Sequence, residues 1–196
     1  MRLPNFTMQT SDVLWGRCMA TYRAEKTAEL LFTFPEDLAW DELDVQGEKL
    51  PVNMKFVDLV IERDQDVLLV EIKDPSHSHS REKDQKKFLK RLLDNSLLTQ
   101  DLTPKARDSY LFLHLMERDK KPFKYIVLVS LEAFDSVQQK AVLSGFKDRL
   151  LADIRCEAAK AWKRKHINDC AVLSIDTWNE NFPDWPVIRQ PIPVAA

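Results

Sequence analysis

The chain has 196 residues, 44% of them hydrophobic and 31% charged, with a formal net charge of −2. That supports one sizeable core and is too apolar for a disordered chain. Only three glycines are present, which excludes long glycine-rich phosphate loops, and neither GxxxxGK[ST] nor GxGxxG occurs, which argues against P-loop and Rossmann nucleotide chemistry.

The charge is unevenly spread. Residues 1–76 carry eight basic against fifteen acidic side chains, residues 77–124 twelve against seven, and residues 125–196 nine against nine. An acidic part followed by a basic one suits a protein that gathers a cation in one place and a polyanion beside it; plain solvated faces give the same asymmetry. Cys18, Cys156 and Cys170 are widely spaced with no CxxC pair, which fits a reducing compartment and not a zinc ribbon or disulfide frame. The start, MRLPNFTMQTSD, has no apolar h-region, and no run has membrane-spanning length. The expectation is a soluble cytoplasmic protein with no membrane partner.

In chain order, Ser11 or Asp12 can cap a helix whose stripe is Leu14, Cys18 and Tyr22, dissolving near 24–27. Residues 28–34 read as a strand on the alternation of Leu30, Phe32 and Phe34, stopped by Pro35; the alternative is a first helix that runs on through Leu31. Residues 35–54 are acidic and irregular, with a short helix at 36–43. Residues 56–62 and 67–73 form an apolar hairpin joined by a charged turn. Pro75 ends it, and SHSHS (76–80) is a loop. Residues 81–95 are a basic helix. Thr103 caps a second helix with Pro104 at its first position, running to about Arg118. KYIVLVSL (124–131) is a strand buried on both faces. Residues 135–166 are helical, with a break near Asp153. CAVLSI (170–175) is a last strand, and the proline-rich tail from about 179 to 196 is extended and draped or loose. The expected fold is a single α/β domain over 1–196: three layers, with a mixed central β-sheet flanked by helices.

Three residues of the hairpin do not suit a core: Asp58, Glu71 and Lys73. Charged side chains are rarely buried unless paired or bound. If Glu62 pairs with Val67, Asp58 falls opposite Glu71, and Lys73 shares their face. A slip of one residue would move Asp58 to the other face. Two carboxylates that close require a proton or a cation between them. Mg²⁺ suits them, because it takes one or two carboxylates and fills its shell with water and phosphate oxygens. Lys73 adds a point charge for a phosphate or an attacking water.

The pattern Asp58…Glu71-Ile72-Lys73, with a basic helix following, resembles the PD-(D/E)XK nuclease superfamily, the restriction-endonuclease-like fold. The signature covers about twenty residues, and the order of elements is similar over roughly 12–131. Val57 stands where many members have Pro. The resemblance implies Mg²⁺, with Mn²⁺ as a substitute, held by Asp58, Glu71 and the backbone carbonyl of Ile72, and Lys73 acting on the attacking water. It implies an added acid from the first helix, for which Glu25 and Glu29 are candidates, and a Gln or Lys from the helix after the hairpin, for which Gln85, Lys86 and Lys87 are. Lys83, Lys87 and Lys90 are candidate contacts to nucleic acid. The implied activity is Mg²⁺-dependent phosphodiester hydrolysis in DNA rather than RNA, by a homodimer or within a larger nuclease complex. The alternatives are a non-cutting nuclease-like binding subunit and a plain salt-bridge patch. His77 and His79 read as a polar loop without a third ligand, His114 and His166 as helical packing or surface residues, and the five tryptophans as core rather than stacking platforms.

Overall fold

A computed structural model describes residues 19–24, 29–44, 51, 53–143, 145–158 and 162–190. Its centre is a five-stranded mixed sheet. Leu59–Glu62 (β4) runs antiparallel to both its neighbours, Ala39–Glu42 (β3) and Val67–Lys73 (β5), while Phe123–Val129 (β6) and Asp169–Leu173 (β7) add in parallel to β5. Six of the seven β5 residues, VLLVEI, are buried, as are six of the seven in β6. A run without alternation is what a strand covered on both faces requires. Each aliphatic side chain so buried contributes roughly 1.5–3 kcal/mol, and Glu71 sits among them at a cost.

The two faces are covered differently. Val60, Val67, Leu69, Tyr125 and Val127 pack under helices Glu82–Leu93 (α1), Thr103–Leu115 (α2), Ser136–Leu143 (α3) and Phe146–Ala158 (α4). Leu59, Ile61, Leu68, Val70, Ile72 and Leu128 pack against a second, three-stranded sheet. That sheet comprises Met19–Ala24 (β1), Leu30–Pro35 (β2) and Val187–Arg189 (β8), with helix Ile175–Asn181 (α5) beside it. The expectation of helices on both sides is therefore corrected. The fold is α/β with a mixed sheet, but one outer layer is largely β.

Four local expectations also change. Residues 19–24 are strand, not the end of a first helix: Tyr22 and Ala24 alternate inward onto Phe32 and Trp40. The earlier part of that expected helix, with Leu14 and Cys18, lies outside the described residues. The helix at 36–43 is edge strand β3. Thr103 is not a cap. A π-helical turn, Leu98–Leu102, runs straight into α2, and the Thr103 hydroxyl donates instead to Asp153 at 2.7 Å. The break between α3 and α4 falls at Gly145, whose φ is +69°, and not at Asp153. The tail is anchored as far as it is described. Trp178 is buried, Phe182 stacks on Trp185, and β8 pairs with β2. Residues 191–196 lie outside the described residues.

Candidate active site

The β4–β5 ladder pairs Glu62 with Val67 and Leu59 with Val70, the register that places Asp58 against Glu71. Asp58 lies one residue before β4, in a bend. Its Oδ2 accepts a 2.6 Å hydrogen bond from the Ile72 backbone N–H, across the strand end. The bend thus aims the carboxylate while β5 holds it.

Glu71 is fully buried. Its Oε1 lies 2.7 Å from Lys73 Nζ and 2.8 Å from Lys105 Nζ. Lys105 Nζ is also 3.7 Å from Asp58 Oδ1 and 3.9 Å from Asp44 Oδ2. One ammonium group is therefore in ion-pair reach of both carboxylates. Burial, and then the Asp58 charge, push the Glu71 carboxyl up to about 7 against the pull of Lys73 and Lys105. Burial is the largest influence on both ammonium groups and works against them, but the surrounding carboxylates, Glu71 foremost, with Asp58 and, at Lys73, Asp101, together outweigh it and hold each above the ordinary lysine value. Asp101, from the π-helical turn, lies 3.5 Å from Lys73, and Lys55 and Arg91 each lie 3.8 Å from it. Burial would raise the Asp101 carboxyl; the surrounding cations outweigh that and hold it below the usual range.

Asp58, Glu71 and Lys73 are thus brought together as expected. Ile72 contributes backbone only; its side chain is buried on the opposite face. The remaining expected site residues stand elsewhere. Glu29 is buried, but it binds Ser78 and Arg189, where burial is offset by those partners and its carboxyl is held low. Glu25 lies outside the described residues. Lys86 pairs with Glu82 on the exposed side of α1, and Gln85 bonds back to Arg81 through its backbone. Lys83, Lys87 and Lys90 are solvent-facing. The SHSHS loop is pinned, through Ser76 to Ser130 and Ala133 and through Ser78 to Glu29. His114 is an exposed residue of α2, as expected, whereas His166 is buried in a loop and not in a helix.

Lys105 and Asp101 were not anticipated. The available signal was a lysine interrupting the apolar stripe Leu98, Leu102, Ala106, Leu113, all of which are buried. Tyr125, on the β6 floor, has a buried hydroxyl without a hydrogen-bond partner.

The donors suit a hard divalent cation. Asp58 and Glu71 converge on a single positive group, and Glu71 Oε2 is buried with no hydrogen-bond partner. Among the described residues no three His, Cys, Asp or Glu side chains are arranged to hold a metal, so the side chains offer a two-carboxylate site. Mg²⁺ accepts this, since it keeps several waters and phosphate oxygens in its shell. Among the described residues no helix is long and apolar enough to cross a membrane. Comparison with family models, with curated proteins and with solved structures finds no match.

Proposed function

We propose that the chain is a restriction-endonuclease-like, Mg²⁺-dependent nuclease acting on DNA, with RNA the second substrate class. The observation that carries this reading is Lys105 Nζ within ion-pair reach of both Asp58 and Glu71, beside Lys73. It supports a place where a cation is wanted at the carboxyl end of β5, where ligands of open α/β sheets commonly bind.

Asp58 and Glu71, with the Ile72 carbonyl, would hold the ion, which supplies Lewis-acid stabilisation of charge on the phosphate. The Ile72 N–H keeps Asp58 oriented. Lys73 Nζ can donate to an attacking water or to a non-bridging phosphate oxygen, stabilising charge as it builds. Lys105 balances the buried Glu71 carboxylate. Lys55 and Arg91, at the rim, and the exposed lysines of α1 offer charge to the flanking backbone.

A second reading has its own observation. Lys105 and Lys73 already offset Glu71 without a metal, which suits a nuclease-like module that binds nucleic acid and does not cut. Incubation with linear, nicked, branched and single-stranded DNA and RNA, in Mg²⁺, Mn²⁺ or EDTA, separates the two. Metal-dependent cleavage supports the nuclease, and binding without cleavage supports the module.

A further inference from the structure

A second charged concavity lies at the other end of the sheet. It has a volume of about 390 Å³ and is walled by the α2–β6 turn and the loop before β7. Lys120, Lys121, Arg164 and Lys165 line it, over an aromatic wall that includes Tyr110. The one acid in the lining, Asp119, is engaged by Arg164 and by His114 at 2.7 Å. Three positive charges are left in excess.

The concavity is built rather than incidental. Lys121 Nζ donates to the Arg63 carbonyl at 2.7 Å, and Asn168 N–H to the Phe123 carbonyl at 2.8 Å, so both loops are tied to the sheet. Arg164 stacks over Tyr110, its guanidinium 5.8 Å from the ring centroid. His166 lines the same space. It is 2% exposed, and its Nε2 has no hydrogen-bond partner. Its ring packs edge-on against Tyr110 and Trp162, so the groups that would meet an oxyanion are the cations Lys120, Lys121, Arg164 and Lys165.

We propose that this concavity is a second phosphate-binding site, which holds the nucleic-acid backbone about one strand length from the Asp58–Glu71–Lys73 cluster. The spacing follows from the sheet. Glu71 and Lys73 pair with Val127 and Val129 at the carboxyl end of β6, whereas Phe123, in the concavity, begins it. Phe123 lies four steps from Val127 and six from Val129, so at about 3.3 Å a step the two sites are roughly 13–20 Å apart. Duplex DNA rises about 3.4 Å per base pair, so about four to six base pairs separate the two contacts. α2 connects them, with Lys105 at one end and Tyr110 and His114 toward the other. The site would fix where along a strand the cluster acts. It rests on the nuclease reading for its partner.

The test is binding of duplexes of 4, 8, 12 and 20 base pairs, without divalent metal, to the wild type and to a Lys120→Glu/Lys165→Glu variant. Both lysines are exposed, and circular dichroism checks the fold. Wild-type affinity should step up once the duplex exceeds about six base pairs. The variant should lose that step at least tenfold, with the slope of log K against log salt flatter by one to two. Cleavage of the 4-base-pair duplex in Mg²⁺, which does not reach the concavity, should be equal in both. Equal affinity and salt slope in the two proteins would overturn the second site while leaving the nuclease reading standing. Loss of all cleavage in the wild type, with the length step retained, would overturn the nuclease reading alone. Inorganic phosphate competing with the 4- and 20-base-pair duplexes equally would also count against the second site.

Discussion

Lys105 Nζ lies 2.8 Å from Glu71 Oε1, and it comes from α2, more than thirty residues beyond the strand that carries the motif. The helix layer thus supplies half of the positive charge that touches a fully buried carboxylate. Removing one partner of such a pair leaves an uncompensated buried charge, which costs about 3–5 kcal/mol. Here Lys73 stays 2.7 Å from Glu71, and the Glu71 carboxyl, pushed up to about 7, can take a proton. Lys105→Met should therefore destabilise the metal-free protein at neutral pH by less than that, about 1–3 kcal/mol. Glu71→Gln, which leaves two ammonium groups facing an amide, should cost a similar amount. The double variant should fall short of the sum by about 0.5–3 kcal/mol, as expected of groups in contact. Urea unfolding of the four proteins measures this. Strict additivity would mean that the contact has no energetic weight.

Metal binding should follow the same carboxylates. Titration calorimetry should detect Mg²⁺ in the wild type and lose it in Asp58→Asn and Glu71→Gln. Affinity should rise between pH 5 and pH 8. The Glu71 carboxyl is pushed up to about 7 by burial first and by Asp58 second, and its proton must leave before the ion binds. A Mg²⁺ affinity independent of pH would contradict that assignment.

His166 gives a pH dependence from a different cause. Burial, with a smaller effect of Arg107, lowers its pKa from 6.5 to about 4. Between those values the unfolded chain binds a proton that the folded chain does not, so stability is complete above about pH 6.5 and falls as the pH drops toward 4. The loss attributable to this residue is at most about 3 kcal/mol. His166→Gln should flatten the stability profile between pH 6.5 and 4 in urea titrations. An unchanged profile would show that His166 titrates normally.

The C-terminal strand should matter to the site despite its distance in sequence. Arg189 on β8 pairs with Glu29 at 2.9 Å and with Asp74 at 2.8 Å, and Asp74 directly follows Lys73. Ser130 ties the same strand end through the Lys73 carbonyl at 2.9 Å. Arg189→Ala removes the cation paired with two buried acids, which keep their hydrogen bonds from Ser78 and Ser130, and should cost about 1–3 kcal/mol. Its thermal midpoint should fall by more than that of an exposed-site control such as Lys83→Ala, and a midpoint equal to the control's would argue against the brace.

The hairpin was legible because its clues are local. Alternation and one short charged turn leave few registers, and burying the apolar face selects one. β6 announced itself by its unbroken apolar run. β1 is ambiguous in sequence because Leu14, Cys18 and Tyr22 match a helical period while Tyr22 and Ala24 equally match an alternating one, and its partner β2 decides between them. β3 was hidden by acidic residues that an edge strand tolerates. Prolines in the tail do not forbid β8; Pro186 and Gln190 bracket a three-residue edge strand. Lys105, Asp101 and the His166 concavity depend on which helix face and which loop meet the sheet. Spacing along the chain does not carry that information.

The rate of phosphodiester cleavage, measured in Mg²⁺ for the wild type and for Asp58→Ala, Glu71→Ala and Lys73→Ala, each verified as folded by circular dichroism, bears most directly on the site. Cleavage by the wild type that is abolished by EDTA and reduced at least a hundredfold in every variant is the predicted result. Three folded variants that cut as fast as the wild type would contradict it.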